Sequence, residues 1–270
     1  MLIEYGTLNN KIDVSNKFKN INIIPKGDIN RYNIIGIDPC PHIVKSIFID
    51  GIEYNENKEI NFKPLINILI RNCYRPEYFK KCINRILSQS YSNFNIIMCY
   101  DNDQCLEYLN TYIKHPKLNG KISLIKVKKN IMLDCFYNLY CNELLNQVKS
   151  GWIMFLDDDD ILTTNDNLQI IVNNIINEND LIFWKFKAGK DVIYLTDVNN
   201  IRANGEIANS SYIFHSKFKD LSRWELSDIG DYLFIKKLSD KINFNRKFIN
   251  QVLTKTIDNN EPRHGGKELN

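Results

Sequence analysis

Residues Gly151–Asn165 read GWIMFLDDDDILTTN, an apolar run that ends abruptly in four carboxylates. Trp152, Ile153, Met154, Phe155 and Leu156 form a short continuous apolar stretch, the pattern of a strand covered on both faces of its sheet. Asp157, Asp158, Asp159 and Asp160 then set like charges side by side, which costs energy unless water or a cation screens them. Open α/β sheets bind their ligands beyond the carboxyl ends of the strands. Two readings stand for the run itself: a solvated acidic turn, or hard oxygen ligands for a divalent cation. A calcium loop of the EF-hand kind fits poorly, because DDDDILTTN lacks that loop's glycine and terminal glutamate.

Upstream of this stretch, from Pro64 onward, strand-like and helix-like patterns alternate, which predicts βα units and a largely parallel sheet. LINILIR (65–71), FNIIMCY (94–100) and KISLIKV (121–127) read as buried strands, with GWIMFL as the fourth. Pro76 opens a helix whose Phe79, Cys82, Ile83, Ile86 and Leu87 share one face. A second helix is expected from about Leu133 to Val148, with Cys135, Phe136 and Leu139 on one side. Downstream, NLQIIVNNII reads as helix, LIFWKF and DVIYL as paired strands, ANSSYIFHS as a strand, and Leu226–Leu238 as a helix. The first sixty or so residues differ. NINIIP, YNIIGI and IVKSIFID look extended and are broken by Pro25, Gly27, Pro39, Pro41 and Gly51, and IDGIEYNENKEI reads as a hairpin. The expected organisation is a small β-rich module over residues 1–62, of unreadable role, followed by a catalytic α/β domain over 63–270.

Composition narrows the function classes. The chain has 270 residues, 44% hydrophobic and 25% charged, ordinary for a globular protein. A net charge of +3 with basic residues spread along the chain gives no argument for nucleic-acid binding. Seven cysteines without a C-x-x-C pair indicate neither a disulfide framework nor a zinc site, so a reducing, cytosolic compartment is expected. The N-terminus has no signal-peptide pattern, and no segment approaches the roughly 18 apolar residues of a membrane span.

Polar groups collect where the strands end: RNCYRPEYF after the first, YDND after the second, DDDD after the fourth. These belong to one crevice if the strands are parallel neighbours. The phrase PLINILIRNCYRPEYFKKCINRILSQSYSNFNIIMCYDND, followed by GWIMFLDDDD, resembles the family-2 glycosyltransferases of the GT-A fold over Pro64 to about Asp160. The resemblance implies a Rossmann-like sheet with flanking helices and a metal-dependent, inverting transfer of sugar from a nucleotide donor, a UDP-sugar, to a hydroxyl on a glycan, protein or lipid. A catalytically inactive GT-A domain that binds glycan or serves as a scaffold is the rival.

It also implies roles. Asp101 matches the carboxylate that reads the donor's base; Asp157 matches the first Asp of the Asp-x-Asp motif, near the ribose, with Asp158 beside it in the nucleotide site. Asp159 matches the ligand of Mn²⁺ or Mg²⁺, and Arg71, Asn72 and Arg75 match the loop bordering the nucleotide. Two departures stand out: YDND replaces Asp-Asp-Gly-Ser, and in NIMLDCFYN only Asn138 of an Ala-Arg-Asn phrase is kept, with Tyr137 where Arg is usual. An inverting transfer needs a base across from the metal. In RWELSDIGDYLFIKKL, Asp231 occupies that position with Asp228 in reserve; the bland alternative is a pair of carboxylates favoured by a helix dipole. In EPRHGGKELN, His264 matches a metal ligand drawn from a closing C-terminal segment, with Arg263 and Lys267 adding positive charge. Trp152 and Trp184 read as core, Trp224 as a stacking surface for the acceptor sugar, and His215 as structural or acceptor-side.

Overall fold

The computed structural model describes residues 2–18, 23–61, 63–129, 134–202 and 205–257. The chain divides into two compact units, Met1–Lys63 and Pro64–Asn270.

In the first unit, strands Asn10–Asp13, Ile3–Thr7, Ser46–Ile49 and Ile52–Tyr54 lie side by side in that order as an antiparallel sheet. Asp50 and Gly51 make the turn of the expected hairpin. YNIIGI, expected to be extended, instead lies mostly in a helix, Asp28–Ile35, that ends at Gly36 in the left-handed conformation. A single Ile-Ile pair cannot separate a strand from a helix face, and here Ile35 goes into the core with Ile3, Tyr5 and Ile47. Arg31 is buried in the same helix. Its guanidinium donates to the carbonyls of Pro25, Tyr54, Asn55 and Lys58 at 2.7–3.2 Å, which satisfies a charge that would otherwise be costly to bury.

The second unit is built on β1 (Ile66–Arg71), α1 (Pro76–Leu87), β2 (Phe94–Tyr100), α2 (Cys105–Ile113), β3 (Ile122–Lys126), α3 (Tyr137–Gln147) and β4 (Trp152–Phe155). It continues with β5 (Asp160–Leu162), α4 (Asn167–Asn173), β6 (Asp180–Ala188), β7 (Asp191–Ile193), β8 (Tyr212–His215), α5 (Gly230–Lys241) and β9 (Asn245–Thr256). The strand order is β5-β9-β6-β8-β4-β1-β2-β3, with β7 on the edge of β6. The run from β4 to β3 is parallel, as is β6 with β9, while β8 runs antiparallel between β4 and β6. This is the kind of mixed sheet with a parallel run that the resemblance to the GT-A fold implies.

Alternation along the central strands explains their continuous apolarity. Ile68, Ile70, Met98 and Met154 pack with Phe79 and Ile83 of α1 on one face. Leu69, Ile97, Ile153 and Phe155 pack with Leu144 of α3 and Phe234 of α5 on the other. Gly151 opens β4 at φ 90°, where an added Cβ would lie 2.6 Å from the Leu65 carbonyl oxygen, so the close approach of β4 to β1 requires glycine. Several expected boundaries move. The helix expected from Leu133 begins at Tyr137, leaving Cys135 outside it at φ 56°, and the helix expected from Leu226 begins at Gly230 after a turn. Among the described residues no helix is long and apolar enough to cross a membrane. All seven cysteines are free.

Candidate active site

Because β4, β1 and β2 are parallel neighbours, their carboxyl ends bring Asp157–Asp160, Arg71–Arg75 and Asp101 to one edge of the sheet. Arg71 reaches from β1 to Asp157 as a two-pronged fork, Nε to Oδ1 at 2.7 Å and Nη2 to Oδ2 at 2.5 Å. Its guanidinium lies 5.5 Å from the ring centre of Tyr137 and 5.9 Å from that of Trp224. Burial opposes the charge on Arg71, but Asp157 more than restores it, so the guanidinium stays protonated. Burial likewise pushes the Asp157 carboxyl upward, and Arg71 outweighs it and holds the group below the usual carboxylate range.

Arg75 sits just before α1 and pairs with two carboxylates. Nη1 donates to Asp159 Oδ2 at 2.7 Å and Nη2 to Asp158 Oδ1. Asp158 and Asn72, expected beside the nucleotide, are both fully buried inside the β1–α1 turn. Asp158 Oδ2 accepts from the Cys73 backbone N–H at 2.8 Å; Asn72 Oδ1 accepts from the Tyr108 hydroxyl at 2.5 Å and from the Tyr74 N–H at 3.2 Å. Their place is to shape this turn, whose tip, Tyr74, takes a left-handed φ of 54°. Burial pushes the Cys73 thiol up to about 12 and raises that of Cys141, so neither supplies a thiolate nucleophile.

Asp101 accepts the Tyr140 hydroxyl at 2.8 Å, while Asp103 is exposed and paired with Lys126. Asn102 Oδ1 accepts from the Gln104 N–H, so YDND also makes the turn into α2. Across the edge, Asp231 lies in the first turn of α5 and accepts the Asn209 backbone N–H at 2.8 Å. Burial pushes its carboxyl up to about 6, against the pull of Arg71 and with the repulsion of Asp157. Asp228 is an exposed turn residue.

Asn138 ties the two sides together. Its Nδ2 donates to the Glu225 and Ser227 carbonyls at 3.1 and 2.6 Å, in the loop leading to Asp231, and its Oδ1 accepts from Arg71 Nη1 at 3.3 Å. Gly230 packs so closely here that an added Cβ would lie 2.5 Å from Asn138 Nδ2.

One expectation is corrected. Trp224 is only 2% exposed and stacks on Phe234 at 5.1 Å, so it forms the floor of the site and presents no face to a sugar. Of the two readings of His215 the structural one fits its place: it pairs in register with Trp152 at the opposite end of β4 from the acidic run and packs edge-on against that ring at 5.4 Å. Arg263, His264 and Lys267 lie outside the described residues.

Among the described residues no group of three or more His, Cys, Asp and Glu side chains is arranged to hold a metal. Asp157 spends both oxygens on Arg71, and Asp159, partly exposed, keeps Oδ1 without a described partner. Beside it, Arg75 Nε is buried without an acceptor. Such a donor set does not make an all-protein cage. It fits Mg²⁺ or Mn²⁺ taken up with one carboxylate, with phosphate oxygens and water completing the shell.

The glycosyl transferase family 2 model matches residues 66–237, from the start of β1 into α5. The chain therefore belongs to glycosyl transferase family 2. No curated protein sequence matches it. Among solved structures it is similar to Staphylococcus aureus TarS residues 1–349 in complex with UDP-GlcNAc, with a TM-score of 0.58 and 17% identity over 74% of this chain and 60% of that one. It is also similar to the mannosyltransferase PcManGT of Pyrobaculum calidifontis in complex with GDP-Man and Mn²⁺, with a TM-score of 0.54 and 10% identity over 75% of this chain and 59% of that one. The chain thus spans about three-fifths of the length of both, and the likeness is one of fold.

Proposed function

We propose that this chain transfers one sugar from a UDP-sugar to a hydroxyl of a glycan, protein or lipid acceptor, with inversion at the anomeric carbon. The observation that carries the reading is the pairing of a carboxylate-lined strand edge, Asp101, Asp157 and Asp159, with Asp231 across it, in a chain of glycosyl transferase family 2. The ligands of the similar structures, UDP-GlcNAc in one and GDP-Man with Mn²⁺ in the other, support a nucleotide donor and a divalent cation.

In this reading Asp101 accepts from the base, Asp157, held by Arg71, stands near the ribose, and Asp159 would hold Mn²⁺ or Mg²⁺, with His264 as a further ligand. The cation, when bound, supplies positive charge against the departing diphosphate. Arg75 lends its own charge at the same edge. Asp231 takes the acceptor's proton as its oxygen attacks from the face opposite the diphosphate. A carboxyl pushed up to about 6 is still mostly ionised at neutral pH and is a better base than a solvated one. Asn138 fixes the loop that presents it. A reducing, cytosolic setting accords with seven free cysteines.

A thermal-shift screen of nucleotide sugars with and without Mn²⁺ tests the reading, because a matched donor raises the melting temperature by mass action. A UDP-sugar should stand out, and only with the metal. No shift with any nucleotide sugar overturns the reading. Binding without release of a nucleoside diphosphate supports the inactive, glycan-binding alternative.

A further inference from the structure

Asp160 closes the acidic run, one residue beyond the carboxylate expected at the metal. It opens β5, pairs in register with Thr256 of β9 and is only 6% exposed. Burying a carboxylate is costly unless it is hydrogen-bonded. Here Oδ2 accepts from the Ser210 hydroxyl at 2.5 Å, a charge-assisted bond between two buried side chains.

Ser210 is the middle of the single turn Asn209–Ser211, and its carbonyl is held as well. That oxygen accepts from Trp184 Nε1 of β6 at 2.9 Å and from Thr254 Oγ1 of β9 at 2.6 Å, and Trp184 Nε1 also reaches the Thr254 hydroxyl at 2.9 Å. Trp184, Ser210 and Thr254 are each at most 1% exposed, so water does not compete for these bonds. Ser211 braces the same turn: its hydroxyl donates to the Ala208 carbonyl at 2.7 Å and accepts the Ala208 N–H at 3.1 Å. From this anchored turn the Asn209 backbone N–H donates to Asp231 Oδ2 at 2.8 Å. Among the described residues that is the only hydrogen bond to the Asp231 side chain.

Resting on the reading of Asp231 as the base, we propose that Asp160 and Ser210 are positioning residues for it: the last carboxylate of the run fixes the turn whose N–H aims the base. The connection is short. Asp159 leads to Asp160 through the backbone, Asp160 to Ser210 through their side chains, and Ser210 through the backbone to Asn209, which holds Asp231. It ties the carboxylate expected at the metal to the one across the edge. That separation matters because the acceptor oxygen must lose its proton while it attacks opposite the diphosphate, and a misplacement of about 1 Å can cost on the order of 10²-fold. An apolar pair would fill the same space without burying a charge, but it would not fix the direction of the Asn209 N–H.

The test places Ser210→Ala in the parent chain and in Asp231→Asn. It follows turnover, as UDP release from the UDP-sugar that gives the largest thermal shift, and calorimetric UDP affinity with Mn²⁺. In the parent chain Ser210→Ala should lower kcat on the order of tenfold or more and leave UDP affinity within about twofold. In Asp231→Asn it should add nothing, because residues that act as one unit do not lose independently. Asp160→Asn keeps an oxygen for the Ser210 hydroxyl and should retain more turnover than Ser210→Ala. If Ser210→Ala does not fold, Thr254→Val, which takes a donor from the Ser210 carbonyl and keeps the shape, replaces it in the same comparison. The positioning role is overturned, with the base left in place by a slow Asp231→Asn, if Ser210→Ala loses equally in both backgrounds, loses UDP affinity in parallel, or keeps normal kcat in the parent. Less turnover in Asp160→Asn than in Ser210→Ala would also overturn it. Full turnover in Asp231→Asn removes the base assignment itself, and this proposal with it.

Discussion

Replacing Asp231 by Asn keeps the shape of a group that accepts the Asn209 N–H but removes its charge and its ability to take a proton. Two consequences of opposite sign follow. Catalysis should fall about 10²-fold or more, because a base is lost where the acceptor must be deprotonated. Stability should rise. The carboxyl moves from 3.8 when solvated to about 6 in the fold, so the folded state resists ionising it. Between those two values the parent loses stability as pH rises, and above about 6 the penalty is complete. Two units correspond to about 3 kcal/mol, and partial exposure of the residue reduces this to about 1–3 kcal/mol. Asp231→Asn should therefore be more resistant to urea than the parent at pH 8 by about that amount, with the gain shrinking toward pH 4. The parent's kcat/KM should fall as pH drops below about 6, the direction required of a group active only when ionised. Near-normal transfer by the variant, or equal stability at pH 8, would refute the assignment.

Other substitutions probe the remaining parts. Asp159→Ala should weaken UDP binding in the presence of Mn²⁺ with little change in melting temperature; UDP affinity of the parent that survives EDTA unchanged would contradict it. Arg71→Met takes the forked partner from the part-buried Asp157, leaving only the more distant charge of Arg75, and should cost about 1–3 kcal/mol by urea titration, much of it recovered when Asp157→Leu is added. Gly230→Ala forces a Cβ against Asn138 and should cost about 1–3 kcal/mol and lower kcat more than donor affinity; equal losses in both would make it a purely structural contact. Deleting residues 262–270 should leave the melting temperature unchanged and slow turnover; full activity would remove His264 from the site.

The parallel strands and the crevice were legible because continuous apolar runs ending in polar clusters need no long-range information. Strand β9 was not. NRKFINQVLTKT mixes polar and apolar residues because its exposure changes along its length, and its pairing with β6 is broken by irregular register near Trp184 and Lys185. The arginines after β1 could be seen, but not that Arg71 and Arg75 between them engage Asp157, Asp158 and Asp159, since those pairs join residues 83 to 86 apart. Nothing local distinguishes the surface aspartate, Asp228, from the half-covered Asp231, or an exposed tryptophan from Trp224. Tyr140 carried no signal beyond an apolar helix face, and its bond to Asp101 forms only because α3 packs against the end of β2.

The most direct measurement is release of UDP by the purified chain from the UDP-sugar that gives the largest thermal shift, followed in the presence of an acceptor hydroxyl with Mn²⁺ and with EDTA. The account predicts release with Mn²⁺, none with EDTA, and a loss of about 10²-fold or more in Asp231→Asn. Release that proceeds equally in EDTA, or equally in Asp231→Asn, would contradict it.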